Sequence, residues 1–126
     1  RTKEPAPSRK DAEVFDLPAA LETFMGKKDV VQRVVRAFGD KTGAQLVSMR
    51  KALDGKDWKP LEIESHGIKG GSWNLQARRL GNAAAELEAA AKKMDAAAAD
   101  AALAAVVREY GVFREAVASN PALRDG

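Results

Sequence analysis

The chain holds a single imidazole, His66, in the stretch "ESHGIKGGSWNL", with Lys69 three residues later and the pair Gly70-Gly71 directly after it. An imidazole of ordinary pKa, near 6.5, is a competent nucleophile at neutral pH. A lysine three residues on shares its helical face and can offset the charge of an anionic group arriving there. Phosphoryl transfer suits such a pair, because it depends on positioning and charge neutralisation more than on covalent help from the protein. Other chemistries lack their parts. A metal site needs a second histidine or dense carboxylates, and a Ser-His-Asp hydrolase needs a nucleophile elbow and an oxyanion loop. "GIKGGSW" has no Walker spacing and follows no strand. A lone histidine on a helix surface can also be inert, so a helical interaction or dimerisation module stays open as the alternative.

The elements that must position these residues are helical throughout. Arg1–Ala12, "RTKEPAPSRKDA", is Pro-rich and charged without apolar period, and is expected to be a linker or frayed tail. The absence of an initiator methionine suggests a module cut from a longer chain, such as a sensor kinase. A short helix follows in "DLPAALETFM", with Asp16 as N-cap, Pro18 in the first turn and Gly26 as the stop. From Asp29 a helical period runs through Val31, Val35, Phe38, Met49 and Leu53, with a break possible at Gly39 or Gly43 and Gly55 as terminator. Asp57 caps a third helix whose inward stripe is Leu61, Ser65, Ile68, Ser72 and Leu75. The fourth spans about 77–95 with Leu80, Ala84, Leu87, Ala91 and Met94 inward, and the fifth about 98–118 with Leu103, Val106, Val107, Tyr110, Phe113 and Val117 inward. Asn120-Pro121 ends it. The expected fold is all-α: an up-and-down antiparallel four-helix bundle with a short additional N-terminal helix, occupying 13–119 between a linker at 1–12 and a tail at 120–126.

Composition is compatible with this. The chain has 126 residues, 45% of them hydrophobic and 31% charged, enough for one domain with a real core. It has no run able to cross a bilayer, no signal-peptide pattern and no cysteine, which favours a cytoplasmic module without disulfides. The net charge of +3 is spread among acids along helical faces, which does not favour nucleic acid as a partner.

On a wheel of about 100° per residue, the stripe from Leu61 to Leu75 faces inward while His66, Lys69, Gly70 and Trp73 share an outer arc. The third and fourth helices turn near Ala77 and run antiparallel. Glu88 is as far past the turn as His66 is before it, so the two are expected at one height. A carboxylate there can accept a hydrogen bond from Nδ1–H and leave Nε2 as the nucleophile; its alternative is an ordinary i,i+4 pair with Lys92. Glycine inside a helix costs about 1 kcal/mol relative to alanine. Gly70 and Gly71 are expected to leave a notch beside the imidazole that makes room for a partner protein, with helix packing as the other use, above all for Gly71.

The string "HGIKGGSWNL", followed by Leu80 and "ELE", resembles the histidine-containing phosphotransfer (HPt) domain family, and "FDLPAALETFMGKKDVVQRVVRAF" looks like that family's opening helices. The resemblance implies that His66 accepts a phosphoryl group from a receiver-domain aspartate and passes it to another receiver, as a phosphorelay intermediate without kinase activity of its own. It implies Lys69 and Glu88 as the residues assisting His66. Receiver domains would dock on Ile68, Gly70, Gly71, Ser72 and Trp73, with Phe24 or Met25 as further candidates. No metal and no cofactor are expected on this chain, the Mg²⁺ belonging to the receiver, and the module is expected to be monomeric. A histidine domain fed directly by a kinase catalytic domain is the remaining alternative. The chain departs from the family where Gln76 replaces a usual glycine, where Trp73 replaces a small residue, and where Ser65 and Gly67 flank the histidine.

Overall fold

The computed structural model describes residues 9–124. The helices are α1 (Arg9–Val14), α2 (Leu17–Thr23), α3 (Lys28–Asp54), α4 (Trp58–Asn74), α5 (Arg78–Lys92), α6 (Ala96–Ala118) and α7 (Pro121–Arg124). No strand occurs among the described residues. The last four residues of the expected linker are helical, in α1, and most of the expected C-terminal tail is the short α7. Positions 1–8 and 125–126 lie outside the described residues. Val14 and Phe15 at the end of α1 are buried, and Phe15 meets Phe113 edge to face at 5.7 Å. That apolar anchor is what holds the turn preceding Asp16, and the Pro-rich composition upstream concealed it.

Helices α3 to α6 form the bundle, each packed against its neighbours in the order α3, α4, α5, α6 and back to α3. Cross-links between α3 and α6 descend in one number as they rise in the other: the Tyr110 hydroxyl donates to the Gly39 carbonyl at 2.8 Å, and Arg50 bonds Asp100 at 3.0 Å. The pair is therefore antiparallel. Neither Gly39 nor Gly43 breaks α3. They make room instead, since a Cβ at Gly43 would stand 2.7 Å from the Tyr110 hydroxyl. The expected stripe of α4 is buried without exception, Leu61, Ser65 and Ser72 at 0% exposure and Ile68 and Leu75 at 1%. Ser65 survives there because its hydroxyl donates to the Leu61 carbonyl at 2.6 Å, whereas the Ser72 hydroxyl has no partner.

Helix α5 presents an inward surface of Gly81, Ala83, Ala84, Leu87, Ala90 and Ala91. Such small side chains let two helix axes approach toward the close end of the usual 8–10 Å separation. This is the packing that brings a short acidic side chain on α5 within reach of α4. Two inward assignments fail. Met94 is 64% exposed because α5 ends at Lys92 and the chain turns there, with Met94 at φ 54°. Val107 is 49% exposed because it lies about 100° around α6 from Val106, which is the residue that faces the core.

The helix ends follow local chemistry. Asp16 accepts from the Ala19 N–H and Asp95 from the Ala98 N–H, each at 3.0 Å, as N-caps do. Asp57 occupies the N-cap position of α4 without a side-chain bond. At the α3–α4 corner the expected terminator is displaced by one residue: Gly55 has φ −89°, and Lys56 takes the left-handed conformation at φ 54°. Gln76, where the family's glycine is missing, is also left-handed at φ 61°. Left-handed backbone costs a residue bearing a Cβ about 1–2 kcal/mol. Lys56→Gly is therefore expected to stabilise the domain by up to about 1 kcal/mol in denaturant unfolding, part of the gain being offset by glycine's entropy. Gly55→Ala is expected to be neutral or mildly stabilising. The opposite pair of signs would place the strained residue at Gly55.

Candidate functional site

His66 sits in the middle of α4, away from the buried stripe, with its side chain 68% exposed. Its Nδ1 lies 3.0 Å from Oε2 of Glu88, the residue that register counting places opposite it. Glu88 belongs to α5 beside buried Leu87 and is itself 6% exposed. An ionised carboxylate only accepts, so the bond requires the proton on Nδ1 and leaves the Nε2 lone pair directed away from it.

The same carboxylate holds two cations. Lys69 Nζ is 2.8 Å from Oε1, and Lys92 Nζ is 3.5 Å from Oε2. The i,i+4 pair with Lys92 thus coexists with the bond to His66 instead of replacing it. Lys69, expected to offset the charge of an anionic group arriving at the imidazole, is bonded to Glu88 with its side chain 31% exposed. The Lys69 ammonium, opposed by burial and assisted by His66, pulls the Glu88 carboxyl well below its ordinary range, to about 2.

Of the expected docking residues, the structure exposes some and buries others. Gly70 is exposed, and a Cβ built there would meet nothing within 4 Å. Trp73 is 41% exposed. Ile68 and Ser72 are corrections: at 1% and 0% exposure they belong to the core and cannot touch a partner. Both lie on the inward stripe, whose period already assigned them there. Gly71 is a correction of a different kind, because a Cβ there would stand 2.7 Å from a ring carbon of Phe38. Its small size serves the α3–α4 contact. Met25 is 77% exposed at the α2–α3 corner, and Phe24 packs against the core.

Of two further exposed residues next to the imidazole, Ile63 went unnamed in the sequence and Gly67 was named only as a departure from the family pattern. Ile63 is 60% exposed and lies three residues before His66, about 60° around the helix. Gly67 is exposed, and its missing Cβ would make only an ordinary 3.8 Å contact with Gln45. The wheel that grouped His66 with Gly70 also contains Ile63, so the signal was present. Among the described residues no group of three His, Cys, Asp or Glu side chains is placed to hold a metal ion.

Because the Glu88 carboxyl is more acidic folded than unfolded, its stabilising contribution is fully present above the ordinary value of 4.5 and is lost as pH falls toward about 2. Acid unfolding of the wild type is expected to be steeper over this window than that of Glu88→Gln, as read by circular dichroism. Glu88→Ala is expected to cost about 1–3 kcal/mol at neutral pH, the range for losing charge-assisted bonds at a mostly buried acceptor. Parallel acid profiles would show that the carboxylate is not the anchor of this cluster.

The model of the Hpt domain matches residues 33–119. No curated protein is similar enough to count as a relative by sequence. Among solved structures, histidine-containing phosphotransfer protein B (HptB) from Pseudomonas aeruginosa PAO1 is similar, with a TM-score of 0.71 and 25% identity over 90% of this chain and 91% of that one. The family match runs from within α3 to the end of α6 and includes the exposed imidazole of α4 with its carboxylate partner on α5. The chain belongs to the Hpt domain family and is a histidine phosphotransfer module of a phosphorelay.

Proposed function

We propose that His66 is the phosphoacceptor, taking a phosphoryl group on Nε2 from a receiver-domain aspartate and passing it to the aspartate of another receiver. The observation that carries this reading is the 3.0 Å contact between Nδ1 of a largely exposed ring and the buried Glu88 carboxylate. In the forward step the Nε2 lone pair forms a bond to phosphorus. The bond from phosphorus to the aspartyl oxygen breaks, and its electron pair stays with the departing carboxylate. The ring keeps its Nδ1 proton and becomes positively charged, and Glu88 is already in place to stabilise that charge. The reverse step retraces the same path to a second receiver. Lys69, on the same face of α4, contributes a positive charge near the incoming phosphoryl oxygens while remaining bonded to Glu88.

Gly70 supports the same reading. A mid-helix glycine costs about 1 kcal/mol relative to alanine, and no neighbour within the chain makes use of its missing side chain. The vacancy lies beside the imidazole, where a receiver's active-site rim would have to pass. Gly111 on α6 is equally unfilled, and nothing in the structure explains it. The receiver brings the Mg²⁺ of the reaction, so this chain is read as acting without a cofactor of its own, as a monomeric cytoplasmic module. Among the described residues no helix is long and apolar enough to cross a membrane.

His66→Gln is expected to abolish labelling by a phosphorylated receiver, with an unchanged helical signal, and the wild-type label should be acid-labile and base-stable. Retained labelling in that variant would sink the assignment. The two adjacent glycines separate fold from docking. Gly70→Ala is expected to stabilise the domain by up to about 1 kcal/mol while slowing transfer from receivers. Gly71→Ala is expected to destabilise it, because Phe38 must move.

A further inference from the structure

Trp73 lies seven residues after His66, which returns it to within about 20° of the same stripe and roughly 10 Å along the helix axis. Its indole rests on α5 at Gly81, where a Cβ would stand 3.2 Å from Cε2 and 3.3 Å from Nε1. The remaining near neighbour of that absent Cβ is the Cβ of Ser72, at 3.4 Å. Helix α5 is otherwise rich in alanine, the residue that would be preferred at position 81 by about 1 kcal/mol. The glycine there makes a seat for the indole. The other side of the ring system stays in solvent, leaving Trp73 41% exposed. Between Trp73 and His66 on this face is Gly70, where an added Cβ would meet nothing within 4 Å.

A tryptophan fixed on one side and bare on the other is a poor core residue and a good contact. Its orientation is already paid for, and it offers a large apolar surface for burial, which is why tryptophan is enriched among the dominant contacts of protein interfaces. We propose that Trp73 is a specificity-determining contact for the receiver domain and that Gly81 is its positioning residue. The occupant follows from continuity, since any domain that reaches Nε2 of His66 across Gly70 lies against the exposed side of the indole. The inference rests on His66 as the phosphoacceptor. A receiver with an apolar rim at the matching point gains from burying the ring, and one with a charged rim must desolvate that charge against it.

The test uses the full chain and a panel of receiver domains charged with acetyl phosphate, following phosphoryl uptake by those that load the wild type. Trp73→Ala is expected to raise the receiver KM about five- to twentyfold, the loss typical of a dominant aromatic contact, with kcat changed less than about twofold. It should also compress the differences among receivers. Gly81→Ala is expected to raise KM several-fold by displacing the indole, and in a Trp58→Phe background to shift the tryptophan emission. In the Trp73→Ala background, Gly81→Ala should have no further effect on KM, because the two residues act through one contact. An unchanged KM and ranking in Trp73→Ala would overturn the proposal. So would a Gly81→Ala effect that persists without the indole, which would mark the glycine as purely structural. Labelling of the wild type by phosphoramidate separates the two levels: its P–N bond breaks as the Nε2–P bond forms and ammonia leaves, and the donor is too small to meet Trp73. Failure of that reaction strikes the His66 assignment, whereas normal labelling with unaltered receiver kinetics strikes only the role of Trp73.

Discussion

A buried carboxylate that accepts from an exposed imidazole is the contact on which the site depends. Glu88 is anchored on α5 by its apolar neighbours, and its negative charge is held by Lys69, by His66 and more distantly by Lys92. An isolated charge so buried would be costly, and the two lysines are what make it tolerable. In return it orients the ring and selects the proton position, and on the reading proposed above it supplies the counter-charge that a phosphorylated imidazolium requires. The geometry depends on a close α4–α5 approach, which the alanines of α5 permit. Residues with no chemistry of their own therefore determine whether the chemistry is possible.

The glycines of the bundle divide by what fills the space they leave. Tyr110 reaches into the space at Gly43, Phe38 lies against Gly71, and Trp73 against Gly81. In each case an aromatic ring from another helix takes the place of a methyl group, so the glycine sets how closely two helices interlock. Gly70 differs, because its space is empty and stands next to the imidazole. The sequence favours a packing role for Gly71 over Gly70, but both break the same propensity rule and the pattern does not show what fills either space. The neighbouring helix shows it, with Phe38 against Gly71 and nothing against Gly70.

Much of the fold was legible in periodicity and in counting. The buried stripe of α4 follows from spacings of four and three, and Glu88 follows from antiparallel register about the turn at Ala77. The failures have identifiable causes. Ile68 and Ser72 are expected as docking residues only by the resemblance, whereas about 100° per residue carries both well around the helix from His66 and onto the buried stripe. Gly55 seemed the natural left-handed residue, but the backbone placed that conformation on Lys56, a choice set by how the two helices meet and invisible in composition. Helix α1 was concealed by Pro-rich sequence upstream, because the apolar contacts of Val14 and Phe15 that hold its end are tertiary. Trp73 could be placed on the correct face, but its seat on Gly81 requires knowing which residue of α5 lies opposite.

His66 is carried by the interior turns of a long helix, with its carboxylate partner on another, and among the described residues its side chain stays largely exposed. A platform of this kind presents the same geometry to a visitor that delivers a phosphoryl group and to one that removes it. On the reading proposed above, the net current through the module is governed by the relative energies and abundances of the aspartyl phosphates on either side. The domain then behaves as a two-way conductor, and rectification has to be imposed by the partners it connects.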